Sequence, residues 1–342
     1  MWSGRLLAHG GVEDCMQRTG KSVSLTVETS MQGRRHRLGT FTPDSLLFLA
    51  QGILDHSADL LDEGDGRHAF ELLERELSEV YDLARTLRCL SRLRLAARSH
   101  RIYRHCQDEP FTSYASAKPG GYAVSLDFLN GGLMPLGTPK PAAMIFDQLT
   151  ASTFALSVRL LKTLTRAYIE DVRTRRARPR ILALGAGHLR ELEDGPFDLS
   201  RVEFTVFEQD EAACAFLGHK YQKQLTIINA SLGEIESSFH DRGGFDLIYA
   251  PLMFTLMSDQ RARRLLGILK NQLAGGGKLI VGNLAASADL RGYLTLFARK
   301  GLRFRSRPEL KVLADGPKFD VYGDPFNNIN YLILKNGLKS QH

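Results

Sequence analysis

Apolar and polar positions change period several times along the chain, and each change marks an element. From Ser22 to Thr29, Val23, Leu25 and Val27 alternate with Ser24, Thr26 and Glu28, the two-residue period of a half-buried strand. A Gly33 turn and the basic stretch Arg34 to Phe41 predict a hairpin partner for it. Thr42-Pro43-Asp44 reads as a helix start, with Thr42 as cap and Pro43 at the first helical position. That helix carries Leu46, Leu49, Ala50, Ile53, Leu54 and Leu61 on one broad side. Beyond the Glu63–Gly66 break, Leu72, Leu73, Leu77, Val80, Leu83, Leu87, Leu90 and Leu93 form the stripe of one long amphipathic helix, Ala69 to Arg98. It is expected to pack within its own region, with homodimerisation through its apolar face as the alternative.

From Phe111 to Pro141 the periodicity fades into a Gly-, Pro-, Ser- and Tyr-rich stretch. Long irregular loops in compact proteins are functional or disordered. Tyr114, Tyr122, Phe128, Leu129, Leu133 and Met134 argue against disorder here. The stretch is expected to be a lid or substrate wall, with an interdomain connector as the alternative, and Pro141 to Arg173 is expected to be helical.

The C-terminal half consists of short apolar runs set apart by glycine turns. Ile181 to Leu184 leads into Gly185-Ala186-Gly187 and a segment with helical character; Val202 to Phe207 then ends on Glu208. Strand, glycine turn, helix and strand with a terminal acid is the start of a nucleotide-binding α/β sheet, because side chains at the glycines would block a ligand and the acid can accept from both ribose hydroxyls. The dinucleotide fingerprint is incomplete, since Arg190 stands where it requires a third glycine. A plain strand-to-helix turn is the competing reading of these residues taken alone. Further strands are predicted at Leu225–Ile228, Phe245–Tyr249 and, after a helix over Asp259–Leu273 and the Gly275-Gly276-Gly277 turn, at Lys278–Val281.

This order, with "FDLIYA" and "LAGGGKLIVGN", resembles class I S-adenosylmethionine (SAM)-dependent methyltransferases. The stretches "LGAGHLREL", "FTVFEQDEAA", "NASL", "FDLIYAPLMFTLMSDQRARRLL", "GGGKLIVGNLAASADLRGYL" and "RSRPEL" are similar to one bacterial group, the extracellular-factor or 3-hydroxypalmitic acid methyl ester biosynthesis proteins. The similarity runs from about Phe111 to Leu310. The chain departs from that group at His188, where the group tends to have Pro. The resemblance implies a Rossmann-like, doubly wound, mostly parallel seven-stranded sheet over residues 141–342, closed by antiparallel strands at Gly301–Phe304 and Asn330–Leu334. An N-terminal, mainly helical accessory region over 21–140, with its lid at 111–140, precedes it, and residues 1–20 are expected to be disordered.

Composition narrows the field. The chain has 342 residues, 43% hydrophobic and 24% charged, with net charge +7, ordinary for a globular protein. No apolar run approaches the ~20 residues of a membrane span. The start lacks the apolar core of an export signal, so Cys15, Cys89, Cys106 and Cys214, which show no CxxC spacing, are expected to be free thiols in a cytoplasmic protein rather than metal ligands. Arginines crowd residues 85–104 and 173–180. These read first as solvated faces, then as docking surfaces for an acidic acyl carrier protein, and last as a nucleic-acid patch. Aromatics are not interleaved with them, so a base-stacking platform is not supported.

The resemblance places the chemistry. Backbone groups of Gly185, Ala186 and Gly187 face the methionine and ribose parts of SAM, with Arg190 matching the group. Glu208 holds the ribose diol, Gln209 flanks the adenine, and Asn229 or Ser231 meets the adenine edge. Tyr249 borders the transferring methyl. In the "VGN…RGY" segment, Arg291 is a candidate partner for a substrate carboxylate, and Asn283 and Tyr293 for a hydroxyl. The implied activity is carboxyl O-methylation of a 3-hydroxy fatty acid to a methyl ester used in quorum sensing. A carboxylate acceptor is already ionised at neutral pH and needs no general base. The alternatives are methylation of a polyketide or phenolic hydroxyl, which calls for a base near Tyr249, and a SAM-binding regulatory protein without turnover. No Asn-Pro-Pro-aromatic or catalytic Cys motif of a nucleic-acid methyltransferase follows the fourth strand.

Overall fold

The computed structural model of the chain describes residues 17–19, 22–29, 34–116, 121–193, 195, 197–231, 233–234, 244–299, 301–314 and 319–336. Strands β1 (Gln17–Thr19), β2 (Ser22–Thr29) and β3 (Arg34–Phe41) form a small antiparallel sheet. β2 and β3 pair as the alternation predicts, with a register shift between Leu25 and Thr26. The expectation of disorder over 1–20 lies outside the described residues at 1–16 and at 20; at Gln17–Thr19 the chain is strand instead.

Helix α1 (Pro43–Glu63) begins with reciprocal bonds: Ser45 N donates to Thr42 Oγ1 at 3.2 Å and Thr42 N to Ser45 Oγ at 2.9 Å. The single long helix expected over Ala69–Arg98 is broken. α2 (Gly66–Glu71) passes through a π-helical turn (Leu72–Glu76) into α3 (Leu77–Thr86), and Arg88, at φ 56°, redirects the chain into α4 (Leu90–Ser99). The physical reason is burial: folded back, Leu73, Leu77, Val80 and Leu93 join Leu46 and Leu54 of α1 in one core, which a straight rod could not achieve. Short helices α5 (Ile102–Asp108), α6 (Pro110–Ser116) and α7 (Gly121–Leu129) follow, so much of the supposed irregular lid is helical. α8 (Lys140–Ala151) and α9 (Thr153–Arg175) meet at Ser152, whose hydroxyl caps α9 through Ala155 N at 3.3 Å.

The large sheet contains β4 (Arg180–Leu184), β5 (Glu203–Glu208), β6 (Leu225–Asn229), β7 (Phe245–Ala250), β8 (Leu273–Leu284), β9 (Phe319–Gly323) and β10 (Ile329–Lys335). Its order is β6-β5-β4-β7-β8-β10-β9, and β10 runs antiparallel to both its neighbours. Helix α10 (Glu211–Tyr221) follows β5, α11 (Asp259–Asn271) precedes β8, and α12 (Arg307–Ala314) precedes β9. Successive strand residues enter opposite cores. Leu182, Ile248 and Val281 pack with Leu266 and Leu269 of α11, while Ile181, Leu247 and Ile280 pack with Ile169 of α9 and Leu217 of α10. Both faces are therefore covered, which explains the near-continuous apolar strands.

Three expectations need correction. The glycine triplet lies inside β8, not before it: an added Cβ at Gly277 would sit 2.6 Å from Phe245 O, and the β7–β8 register shifts there. Gly301–Phe304 is not a strand; a lone bridge joins Ala285 to Arg305, and the seventh strand is β9. The helical segment after Gly187 reduces to two 3-10 turns, Arg190–Leu192 and Leu199–Arg201, because Leu189 (φ 52°) and Gly195 (φ 96°) lie outside the right-handed helical region.

The N-terminal helices and the segment after β8 share one core, in which Tyr293, Leu294 and Phe297 lie among α1, α3 and α5 residues. At the contact, Gly292 N donates to Ser78 Oγ at 3.0 Å, and Ser78 Oγ donates to Asp289 O at 2.5 Å. A Cβ on Gly292 would stand 2.4 Å from Leu77 O, so only glycine admits this approach. The arginine-rich stretches are laced with ion pairs, Arg92 to Asp44 (2.6 Å), Arg101 to Asp59 and Asp62, Arg173 to Glu170 (2.7 Å) and Arg176 to Asp246 (3.1 Å), as solvated faces would be. Among the described residues, no helix is long and apolar enough to cross a membrane and no cluster of His, Cys, Asp and Glu could hold a metal.

Candidate cofactor site

Strand order reverses between β4 and β7, which opens a crevice at their C-terminal ends, the usual ligand position in such sheets. Gly185 (φ 61°) and Gly187 (φ 53°) turn the chain there in the left-handed region. A Cβ at Gly185 would press on Met253 Cβ at 3.2 Å, and one at Gly187 would face Ala123 Cβ of α7 at 3.5 Å. Gly185 N donates to Phe207 O at 2.9 Å, which fixes the turn against the end of β5.

Glu208 closes β5 and is 0% exposed. Three donors converge on it: Gly187 N at 3.0 Å and the Tyr122 hydroxyl on Oε2, and Asp210 N at 3.0 Å on Oε1. Burial, and then the charge of Glu208, push the Tyr122 hydroxyl well above its ordinary pKa, so it stays a donor. The acid expected to hold a ribose is thus capped by a residue of α7.

α7 is latched onto the glycine turn by a second carboxylate. Asp127 accepts from Arg190 Nε and Nη2 at 2.7 and 2.6 Å and lies 2.6 Å from His188 Nδ1. Burial pushes the Asp127 carboxyl up, but the bonds from Arg190 and His188 together outweigh it and hold the group below the usual carboxylate range. Arg190 also binds Glu193 at 2.9 Å, and both His188 and Arg190 lie over the Phe216 ring. At the start of α6, Glu109 accepts from Phe111 N (2.8 Å) and Thr112 N (2.7 Å), and burial raises its carboxyl to about 7.

Between α6, α7, α9 and the sheet lies a cavity with two unlike ends. The glycine turn, Arg190, Glu208 and Gln209 line one end, and Phe111, Ala115, Phe154, Leu161, Leu256 and Leu294 belong to its apolar wall. Gly185, Ala186, Gly187, Arg190, Glu208 and Gln209 are thus brought together, with Gln209 exposed at the rim. Asn229 and Ser231 lie beside this group, exposed and off the cavity wall. Asn229 Nδ2 donates to Glu208 O at 3.1 Å, and Ser231 Oγ donates to Glu234 Oε2 at 2.7 Å.

The four residues expected on the acceptor side are not on the wall either. Tyr249 is buried and donates to Glu191 Oε1 at 2.5 Å, an acid whose own pKa burial raises. Asn283 donates to Leu284 O (2.7 Å) and Arg303 O (3.0 Å) and accepts from Arg305 Nη1 (2.7 Å). Arg291 Nε and Nη2 bind Asp82 Oδ2 at 2.9 and 2.6 Å, and the buried Tyr293 hydroxyl pairs with Thr112 Oγ1 at 2.8 Å. The "RGY" residues join the N-terminal helices to the sheet. Sequence reasoning missed Tyr122 as a ligand of Glu208 and Asp127 as the latch. Their stretch has no clean period, and their partners lie 86 and 61 residues away.

No family model matches the sequence, and no curated protein matches it. Among solved structures, a possible exported protein from Bordetella parapertussis aligns over 87% of this chain and 97% of its own, at 15% identity and a TM-score of 0.51. The CurJ carbon methyltransferase aligns over 86% of this chain and 96% of its own, at 14% identity and a TM-score of 0.47. The N-methyltransferase NodS from Bradyrhizobium japonicum WM9, in complex with S-adenosyl-L-homocysteine, aligns over 52% and 87%, at 15% identity and a TM-score of 0.38. The fold of this chain is a Rossmann-like α/β fold with a seven-stranded, mostly parallel sheet.

Proposed function

We propose that the chain is a SAM-dependent methyltransferase that esterifies the carboxylate of a long-chain acid, with 3-hydroxy fatty acids as the acceptor class that the sequence resemblance suggests. The supporting observation is the cavity itself, a glycine turn and a buried acid at one end continuous with an apolar wall. The fit to SAM rests on the crevice: Gly185 and Gly187, both at positive φ, turn the backbone along the cavity wall, and Glu208 offers a carboxylate to a diol. Gln209 would flank the adenine, with Asn229 or Ser231 near its edge. Bound there, SAM supplies an electrophilic methyl group on sulfur.

The protein's part is to bind, align and exclude water, since in-line methyl transfer to a carboxylate moves no proton. Hydroxyl methylation would in addition call for a base at the cavity. The histidine on the cavity wall, His188, has Nδ1 engaged by Asp127, and Tyr249 is turned to Glu191. Tyr249 lies off the cavity wall, whereas His188, with a carboxylate on Nδ1, keeps Nε2 as the ring nitrogen that would serve a hydroxyl acceptor.

Incubation with 3-hydroxypalmitic acid and methyl-labelled SAM is expected to put label into an organic-soluble ester. Label appearing only in phenolic or polyketide hydroxyl acceptors would replace this proposal with the second reading.

Tyr122 competes with the ribose for Glu208, so Tyr122→Phe should tighten S-adenosylhomocysteine binding. With a net hydrogen bond worth roughly 0.5–1.5 kcal/mol, the gain is about threefold to tenfold. Titration calorimetry reads it directly; weaker binding would mean that Tyr122 supports the cofactor rather than excluding it.

A further inference from the structure

We propose that Arg299 is the carboxylate-binding residue of the cavity, the role that the sequence assigned to Arg291. This inference rests on the methyltransferase reading and deepens it.

Arg299 follows the π-helical turn Leu294–Ala298, and its backbone N donates to Leu294 O at 2.8 Å. It is half-buried and lines the cavity beside Ala298. With Ala115 and Ala298 it also borders a second, more polar recess formed with Arg98, Tyr103, Gln107 and Ser116. Its charge acts on the Tyr122 hydroxyl, which is the group capping Glu208. The guanidinium therefore stands on the cavity wall within reach of the Tyr122–Glu208 pair.

The other cations on the wall are engaged. Arg190 is held by Asp127 and Glu193, His188 by Asp127, and Lys162 also has a partner. Arg299 has no hydrogen bond or ion pair from its guanidinium to another described residue. An arginine facing an apolar cavity without an acid is matched to a carboxylate, which it can hold bidentately. An acceptor carboxylate near Glu208 would otherwise be repelled by it. Held there, a carboxylate oxygen donates its lone pair to the methyl carbon as the carbon–sulfur bond breaks onto sulfur. The ester and neutral S-adenosylhomocysteine result, with no proton released.

Two carboxylates could reach Arg299, that of the acceptor and that of the cofactor's methionine end, and the experiment separates them. The full chain, Arg299→Ala and Arg299→Lys are titrated with 3-hydroxypalmitate, its methyl ester, S-adenosylhomocysteine and 5′-methylthioadenosine, which lacks the amino acid. Loss of about tenfold or more in affinity for the acid in Arg299→Ala, with ester and S-adenosylhomocysteine unchanged, supports the acceptor as source. The same loss for S-adenosylhomocysteine but not for methylthioadenosine supports the cofactor. Arg299→Lys should recover part of either loss, and unchanged melting temperatures guard against misfolding. If the parent binds both acids and Arg299→Ala binds them within about twofold, the inference is overturned while the methyltransferase reading stands. A parent that binds no S-adenosylhomocysteine overturns that reading, and the inference with it.

Discussion

Glu208→Ala is expected to lower affinity for SAM by at least about a hundredfold. Bonds from two ribose hydroxyls to a carboxylate are worth roughly 1.5–3 kcal/mol each, and every ~1.4 kcal/mol is a factor of ten. Part of that gain is offset because Tyr122 and Gly187 N already occupy Oε2. Burial adds to the loss: a pocket built around a 0% exposed acid leaves the N–H groups of Gly187 and Asp210 without their partner once the acid is gone. Glu208→Gln retains the shape and one acceptor, so it should lie between parent and Ala. Calorimetry on protein of unchanged circular dichroism decides the matter. Affinity in the Ala variant equal to the parent's would end the assignment of this crevice to SAM.

Arg305→Met is expected to cost about 3–5 kcal/mol of folding stability, the scale for removing one partner of a buried charged network. The Arg305 residue is 3% exposed, and its guanidinium is saturated. Nη1 donates to Phe254 O (2.8 Å) and Asn283 Oδ1 (2.7 Å), Nη2 donates to Met257 O (2.7 Å), and Nε and Nη2 both reach Asp259 Oδ1. It joins the turn after β7, the end of β8 and the start of α11. Methionine fills the volume but strands two backbone carbonyls and Asn283 Oδ1. Asp259 is 64% exposed, so Asp259→Asn should cost under about 1 kcal/mol. Urea unfolding of the two variants measures the contrast; equal costs would mean that the ion pair, not the carbonyl contacts, carries the effect.

The sheet was largely legible because its strands are short apolar runs with turn residues between them, and a run such as Ile181–Leu184 reads the same whatever packs on it. The cofactor end was legible for a related reason: Gly185, Gly187 and Glu208 act through backbone room and a strand-end acid, and both leave marks in local sequence. What depends on long-range packing was not. The break at Arg88 follows from how α3 and α4 share a core. Leucine spacing continues straight through it. The acceptor-side assignments of Asn283, Arg291 and Tyr293 rested on their following the fifth strand. That same segment docks the N-terminal helices: Asp82 and Thr112, more than 180 residues earlier, take the polar atoms of Arg291 and Tyr293, and Arg305 takes the Asn283 side-chain carbonyl. Glu191 and Tyr249 illustrate the same limit, since two polar residues on separate elements bond inside the core.

The cavity's apolar wall comes from α6, α7, α9 and the segment around Leu294, and Leu294 also belongs to the core that fastens the N-terminal helices to the sheet. Selectivity and foldedness are consequently drawn from the same atoms. A lineage that reshapes this wall for a longer or bulkier guest also alters the seam between its two halves. New guests should therefore be reached by small steps, each followed by compensating change across that seam, rather than by exchange of a detachable module.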